Sequence, residues 1–196
     1  MYEKKFQNIE FQKSAPKIKY LPVDQGYEVA FFGRSNAGKS SAINAITNKK
    51  NLAKTSKTPG RTAALNIFDI DSERRLVDVP GFGYARVSES TRKDWVDLIN
   101  EYLKTRECLR GAVLVMDIRH PLKPQDCHFL EWLQQSSLPG HVILTKADKL
   151  SLSEQRRMLQ KVMQHLPESI SITVFSAKDK LGVTEVQKIL LDWYCL

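Results

Sequence analysis

The chain has 196 residues, 42% of them hydrophobic, enough to bury one domain well and too few for two. Lys and Arg number 30 against 22 Asp and Glu, a formal charge of +8 that suits a partner carrying phosphate. Three widely spaced cysteines, Cys108, Cys127 and Cys195, argue against a disulfide framework or a zinc cluster, and no apolar run approaches the length of a membrane span.

Residues 1 to 27 place Lys4, Lys5, Lys13, Lys17 and Lys19 among Phe6, Ile9, Phe11 and Tyr20, while Pro16 and Pro22 bar a long helix through the second half. An N-terminal arm is expected, its aromatics packed on the edge of a domain spanning residues 28 to 196 and its lysines solvated. The start, Met1-Tyr2-Glu3-Lys4-Lys5, has neither a signal-peptide core nor a lipidation motif, so a cytoplasmic location is expected.

Glu28 to Gly33 reads as a short buried strand and Ser40 to Ile46 as a helix. Between them Gly33-Arg34-Ser35-Asn36-Ala37-Gly38-Lys39-Ser40 fits G-x-x-x-x-G-K-[ST]. In that pattern a glycine-rich turn and a helix N-terminus aim N–H groups at phosphates, the lysine reaches the β and γ oxygens, and the last hydroxyl ligates Mg²⁺. From Val29 to Phe68 there is no Asp or Glu, while Arg34, Lys39, Lys49, Lys50, Lys54, Lys57 and Arg61 fall inside the segment. Asn48 to Thr62, rich in Lys, Thr, Ser, Pro and Gly, is expected to be a mobile loop.

Leu65 to Ile70 and Leu76 to Val79 read as a hairpin turning at Asp71 to Glu73, followed by Asp78-Val79-Pro80-Gly81. An Asp at a strand end, well after a phosphate loop and three residues before a Gly, suits support of Mg²⁺ through water, with the Gly81 N–H meeting a γ-phosphate. Trp95, Leu98, Ile99, Tyr102 and Leu103 form the apolar face of a helix starting near Ser88 or Ser90, its aromatics expected in the core. Ala112 to Asp117 is a buried strand; Arg119-His120-Pro121-Leu122-Lys123-Pro124 leads into a helix carrying Phe129, Leu130 and Leu133. Val142 to Thr145 is the next strand, then a helix through Met158 and Val162, a strand Ile172 to Phe175, and a closing helix with Val183, Val186, Leu190 and Trp193 on one face.

This alternation predicts an α/β, three-layer P-loop NTPase G domain, with a mostly parallel six-stranded sheet, one antiparallel strand and helices on both faces. The loop Thr145-Lys146-Ala147-Asp148 indicates the base. The Asp148 carboxylate can accept from N1–H and the exocyclic amine of guanine, whereas adenine would leave it unpaired. Lys146 can lay its stem along the purine, and Ser176-Ala177-Lys178 can donate N–H groups to the guanine carbonyl.

The ordered set GRSNAGKS, TPGRT, DVPGFGYA, RHPLKPQD, TKAD and SAK resembles the YihA/YsxC/EngB family of bacterial ribosome-assembly GTPases, over nearly the whole chain. The resemblance implies GTP and GDP binding at Gly33 to Ser40, at Gly60, Arg61, Thr62, Ala63 and Ala64, at Asp78, Val79, Pro80 and Gly81, at Thr145 to Asp148, and at Phe175, Ser176 and Ala177. It places Mg²⁺ on Ser40 and Thr62, makes Lys39, Thr62 and Gly81 the catalytic positions, and implies a monomer that matures the large ribosomal subunit, with an associated role in cell division and septation. Spacing alone leaves Thr55, Thr58 and Thr62 open as the loop ligand; family position favours Thr62.

Phe82 stands where Ras-type enzymes carry a water-orienting Gln, so slow intrinsic hydrolysis is expected. K⁺ held by Asn36, or a group supplied by the ribosome, would compensate. Arg119, His120, Lys123 and the lysines of residues 48 to 62 are candidate rRNA contacts or solvated charges. Two other readings stand beside this one. A non-catalytic RNA-binding module stabilised by GTP is opposed by the intact Lys39, Ser40 and Asp78, and a metabolic P-loop kinase by the TKAD loop.

Overall fold

The structure, a computed structural model, describes residues 2–54, 64–82 and 89–196. Seven strands, β1 (Glu10–Ala15), β2 (Tyr27–Gly33), β3 (Leu65–Asp69), β4 (Arg74–Asp78), β5 (Leu109–Asp117), β6 (Gly140–Thr145) and β7 (Ile170–Val174), form one sheet in the order β1-β3-β4-β2-β5-β6-β7. Helices α1 (Lys39–Ile46), α2 (Glu89–Thr105), α3 (Pro124–Gln135), α4 (Leu152–Met163) and α5 (Val183–Trp193) cover its two faces. β3 pairs antiparallel with both β1 and β4, and every other pairing is parallel, so β3 alone runs against the rest.

The sheet therefore has one strand more than the six expected, and the arm provides it. β1 sits at the edge, only Ala15 of its six residues is buried, and a bulge shifts its register between Phe11 and Lys13. An edge strand so placed has no period-two pattern to betray it, since burial on one face is what creates the alternation. Phe11 is still 53% exposed and meets Phe68 edge-on at 5.8 Å, while Phe6 and Ile9 are wholly buried.

Strands buried on both faces read as continuous apolar runs, as β2, β5 and β6 do. Side chains alternate between two cores. On one face Phe31, Val113 and Ile143 meet Ile43 and Ile46 of α1, Val186 and Leu190 of α5, and Phe6 and Ile9 of the arm. On the other, Phe32, Leu114 and Leu144 meet Leu98 and Tyr102 of α2, Phe129 and Leu133 of α3, and Val162 of α4. The α2 aromatics Trp95 and Tyr102 are thus core residues.

One polar cluster fixes the end of the sheet away from the phosphate loop. The Glu28 carboxylate, fully buried, accepts from Arg106 Nε at 2.9 Å and Tyr102 OH at 3.1 Å, and Arg75 lies 3.5 Å away. Asp24 accepts from the Glu107 and Cys108 N–H groups at 3.0 and 2.9 Å. The chain before β2 is thereby bolted to the segment linking α2 and β5.

Candidate functional site

The loops following β2, β4, β5, β6 and β7 leave the sheet at its C-terminal end, where ligands bind in open α/β sheets. Gly33 closes β2 so tightly against β5 that an added Cβ would lie 2.6 Å from Val115 O. Gly38 caps α1 with φ 98°, a left-handed backbone that favours glycine, and Asn36 holds φ 62°. Within the turn Ser35 N–H donates to Phe82 O at 2.9 Å and Ala37 N–H to Arg34 O at 3.1 Å. The Asn36, Gly38, Lys39 and Ser40 amides have no protein acceptor among the described residues. They are the orphan donors of a helix start, an anion cradle. Thr145 Oγ1 sits between the Ala37 and Met116 carbonyls, 3.0 Å from the latter, so its hydroxyl anchors the loop on β6.

Asp78 ends β4 beside this loop and pairs with Lys39 Nζ, both side chains about nine-tenths buried. The bridging lysine is thus held over the cradle by the carboxylate expected to support Mg²⁺. Val79 N–H donates to Phe31 O at 3.1 Å, and its side chain is core. Phe82 forms a parallel bridge with Arg34, its N–H donating to Gly33 O at 3.2 Å, and packs against the core shared by α2 and α3. Gly81 lies so close to the turn that a Cβ would sit 3.2 Å from Ser35 N. Pro80 is half-buried beside it.

On the other flank Lys146, with φ 61°, reaches back to Asn36 O at 2.6 Å and Asp117 Oδ2 at 2.9 Å. Its stem spans from the TKAD loop to the phosphate loop. Asp117 also takes Arg119 Nε at 2.9 Å, and hydrogen bonds from Arg119 and Lys146 hold its carboxyl well below the usual range against the effect of burial. Arg119 is thus occupied within the protein, whereas His120 is exposed. Asp117 was not singled out from sequence; its signal was an Asp at the C-terminal end of a parallel strand next to TKAD. Asp148 accepts from Ser176 Oγ at 3.1 Å and faces Lys149 Nζ at 3.0 Å; those bonds, Lys149 first, lower its pKa, so it is an ionised acceptor.

The loop after β7 docks on this one through Ala147 N–H to Phe175 O at 3.1 Å. Phe175 is wholly buried in the α1/α5 core and both its backbone groups are paired. Ser176 N–H is committed to Leu181 O at 3.1 Å, and the Ala177 and Lys178 N–H groups have no acceptor among the described residues. Arg34, bridged to Phe82, is close enough to the buried Asp126 to act on its charge. Arg34 Nε and Asp126 Oδ1 are buried without a hydrogen-bond partner, and burial pushes the Asp126 carboxyl up to about 6 although Arg34 and Lys123 oppose it.

Gly60, Arg61, Thr62 and Ala63 lie outside the described residues, as do Thr55 and Thr58; Ala64 is half-buried just before β3. No group of three or more His, Cys, Asp or Glu side chains among the described residues could hold a metal alone. A single carboxylate and a hydroxyl, Asp78 and Ser40, beside a phosphate cradle are the sparse oxygen set that suits Mg²⁺, which is held jointly with phosphates. No helix among the described residues is long and apolar enough to cross a membrane.

Comparison with known proteins agrees with this geometry. A family described as 50S ribosome-binding GTPase matches residues 28–146. The probable GTP-binding protein EngB of Coxiella burnetii, in strain RSA 331 and in strain RSA 493, is 47% identical over 192 residues, covering 96% of this chain and 94% of the relative. Among solved structures, a probable GTP-binding protein engB superposes with TM-score 0.67 at 23% identity, over 85% of this chain and 98% of that one. Era in complex with MgGDPNP and a 16S ribosomal RNA segment superposes with TM-score 0.66 at 20% identity, over 86% of this chain and 57% of that one, which is a likeness of fold.

Proposed function

Because this chain belongs to the EngB family of GTP-binding proteins and has the fold of a P-loop GTPase, we propose that it is a GTP-operated switch in assembly of the large ribosomal subunit. It hydrolyses GTP slowly with Mg²⁺, acts as a cytoplasmic monomer, and is required for cell division and septation through that assembly role. The observation that carries the reading is the convergence of an amide cradle, a Lys39–Asp78 couple and an ionised Asp148 at one end of one sheet.

In this reading the Asn36, Gly38, Lys39 and Ser40 amides bind the phosphates, and Lys39 exchanges Asp78 for the β and γ oxygens. Asp148 accepts from N1–H and the amine of guanine, the Ala177 N–H donates to its carbonyl, and the Lys146 stem covers the ring. Ser40 and Thr62, with Asp78 behind water, would hold Mg²⁺, which would supply positive charge to the phosphates. The Gly81 N–H meets the γ-phosphate, and Thr62 closes the loop over it. Phe82 is held by Gly33 and Ser35 and has no group to orient water, which makes the intrinsic rate low. Asn36, exposed on the turn, would hold K⁺, which would supply the missing positive charge.

Phosphate release from GTP, ATP and no nucleotide, with and without large subunits and in K⁺ or Na⁺, tests the activity. Slow GTP-specific release, stimulated by subunits, is expected. ATP turnover equal to GTP turnover contradicts the base assignment, and equal rates in the two salts remove K⁺.

A further inference from the structure

The sequence sets Lys4 and Lys5 more than forty residues from the lysines after α1; the fold anchors both on one apolar cluster. Phe6 and Ile9, flanking the turn of 3₁₀ helix Tyr2–Phe6, join Ile46 and Ala53 in the α1/α5 core. That turn packs on α5, and Gln187 Nε2 of α5 holds the end of α1 through Ile46 O at 2.6 Å. The segment after α1 is pinned by reciprocal bonds, Asn44 Nδ2 to Ala53 O at 2.9 Å and Ala53 N to Asn44 Oδ1 at 2.8 Å. Its lysines are thus carried on a fixed scaffold leading into residue 55 and the segment containing Thr62.

Lys4, Lys5, Lys50 and Lys54 are exposed, Lys49 is half-buried, and none of the five has a carboxylate partner among the described residues. Carboxylates of the β3–β4 hairpin are already faced by arginine: Asp71 by Arg74 at 3.1 Å and Asp69 by Arg75 at 3.6 Å. Glu3 and Glu10 are the only acids in residues 2–20, against five lysines. A cationic rim fits a phosphodiester backbone, whose charge density rewards each phosphate met with counterion release.

We propose that Lys4, Lys5, Lys49, Lys50 and Lys54 form one docking rim for the phosphate backbone of ribosomal RNA, adjoining the segment that responds to nucleotide. The proposal rests on the ribosome-assembly reading and adds the surface. Its test is binding to large ribosomal subunits across a salt series, for wild type, for the five lysines changed to Gln, for Lys4→Gln with Lys5→Gln alone, and for Arg156→Gln, Arg157→Gln and Lys161→Gln on the exposed side of α4 as control. The log–log salt slope should become shallower by about 3.5 to 4.5 in the five-fold variant, by about 1.5 in the arm pair, and not in the control, at about 0.7–0.9 per phosphate contact. GDP affinity should be unchanged in all, showing intact folding. Protein-free rRNA of the subunit should compete with wild type.

Wild type that fails to bind subunits removes the ribosome reading itself. Wild type that binds while the five-fold variant or the arm pair keeps its slope overturns the rim alone, as does an equal loss in the control. Failure of free rRNA to compete overturns RNA as the partner in favour of an acidic protein surface.

Discussion

Asp148→Asn tests the base assignment at one atom. The carboxylate oxygens now take the Ser176 hydroxyl at 3.1 Å and the Lys149 ammonium at 3.0 Å. Asn keeps an acceptor for Ser176, and the lost ion pair involves a lysine that is 54% exposed, so folding should change by less than about 1 kcal/mol. Guanine loses far more. Two hydrogen bonds to a charged acceptor contribute about 1.5–3 kcal/mol each, and the new amide N–H₂ faces a guanine donor. A net loss of about 3–5 kcal/mol corresponds to roughly 10²- to 10⁴-fold weaker GDP binding. Xanthine carries a carbonyl where guanine carries its amine, so the variant should gain XDP affinity relative to GDP. Fluorescent-nucleotide titration at neutral pH, where Asp148 is ionised in the wild type, reads both. GDP affinity within about threefold of wild type would refute Asp148 as the base reader.

Other perturbations follow from the buried charges. Asp78→Ala leaves Lys39 buried without its partner, destabilising the nucleotide-free protein by about 3–5 kcal/mol, and GDP should raise its thermal midpoint more than it raises that of wild type; an equal rise would refute the couple. Arg106→Ala strands the buried Glu28 and should cost about 3 kcal/mol in urea unfolding, the low end of the range because Tyr102 and Arg75 remain; a loss under about 1 kcal/mol contradicts the bolt. Asp126, with its pKa raised to about 6 by burial, binds its proton more tightly folded than unfolded, so its contribution is present at low pH and lost as pH rises through 6. Asp126→Asn should therefore gain stability relative to wild type between pH 4 and 7, by up to about 3 kcal/mol. His141, pushed down to about 4 by burial, contributes with the opposite sign but is common to both proteins; a flat difference would contradict the buried carboxylate.

Motifs that are local in sequence were legible. The phosphate loop, the Asp78 strand end and the Thr145–Asp148 loop each combine a short pattern with a buried strand, and the fold brings them together as parallel topology requires. Features set by distant partners were not. β1 hides because an exposed edge has no alternation, and the Arg106–Glu28 couple joins residues 78 apart. Asp117 organises Lys146 and Arg119 only once β5 and β6 lie side by side. Phe175, assigned to the nucleotide by family position, is also packed in the α1/α5 core just after β7, a contact with residues distant in sequence. Phe82 reads from sequence as a missing Gln; its bridge to Arg34 shows that the chain after Asp78 is also paired to the phosphate loop.

The most direct measurement is cosedimentation of the protein with large ribosomal subunits and their precursors, in GDP and in a non-hydrolysable GTP analogue, at two salt concentrations. Association with the analogue that is absent in GDP and weakens with salt is the result expected of a GTP-operated switch docked on rRNA. Association indifferent to nucleotide would contradict the switch while leaving the GTP site standing.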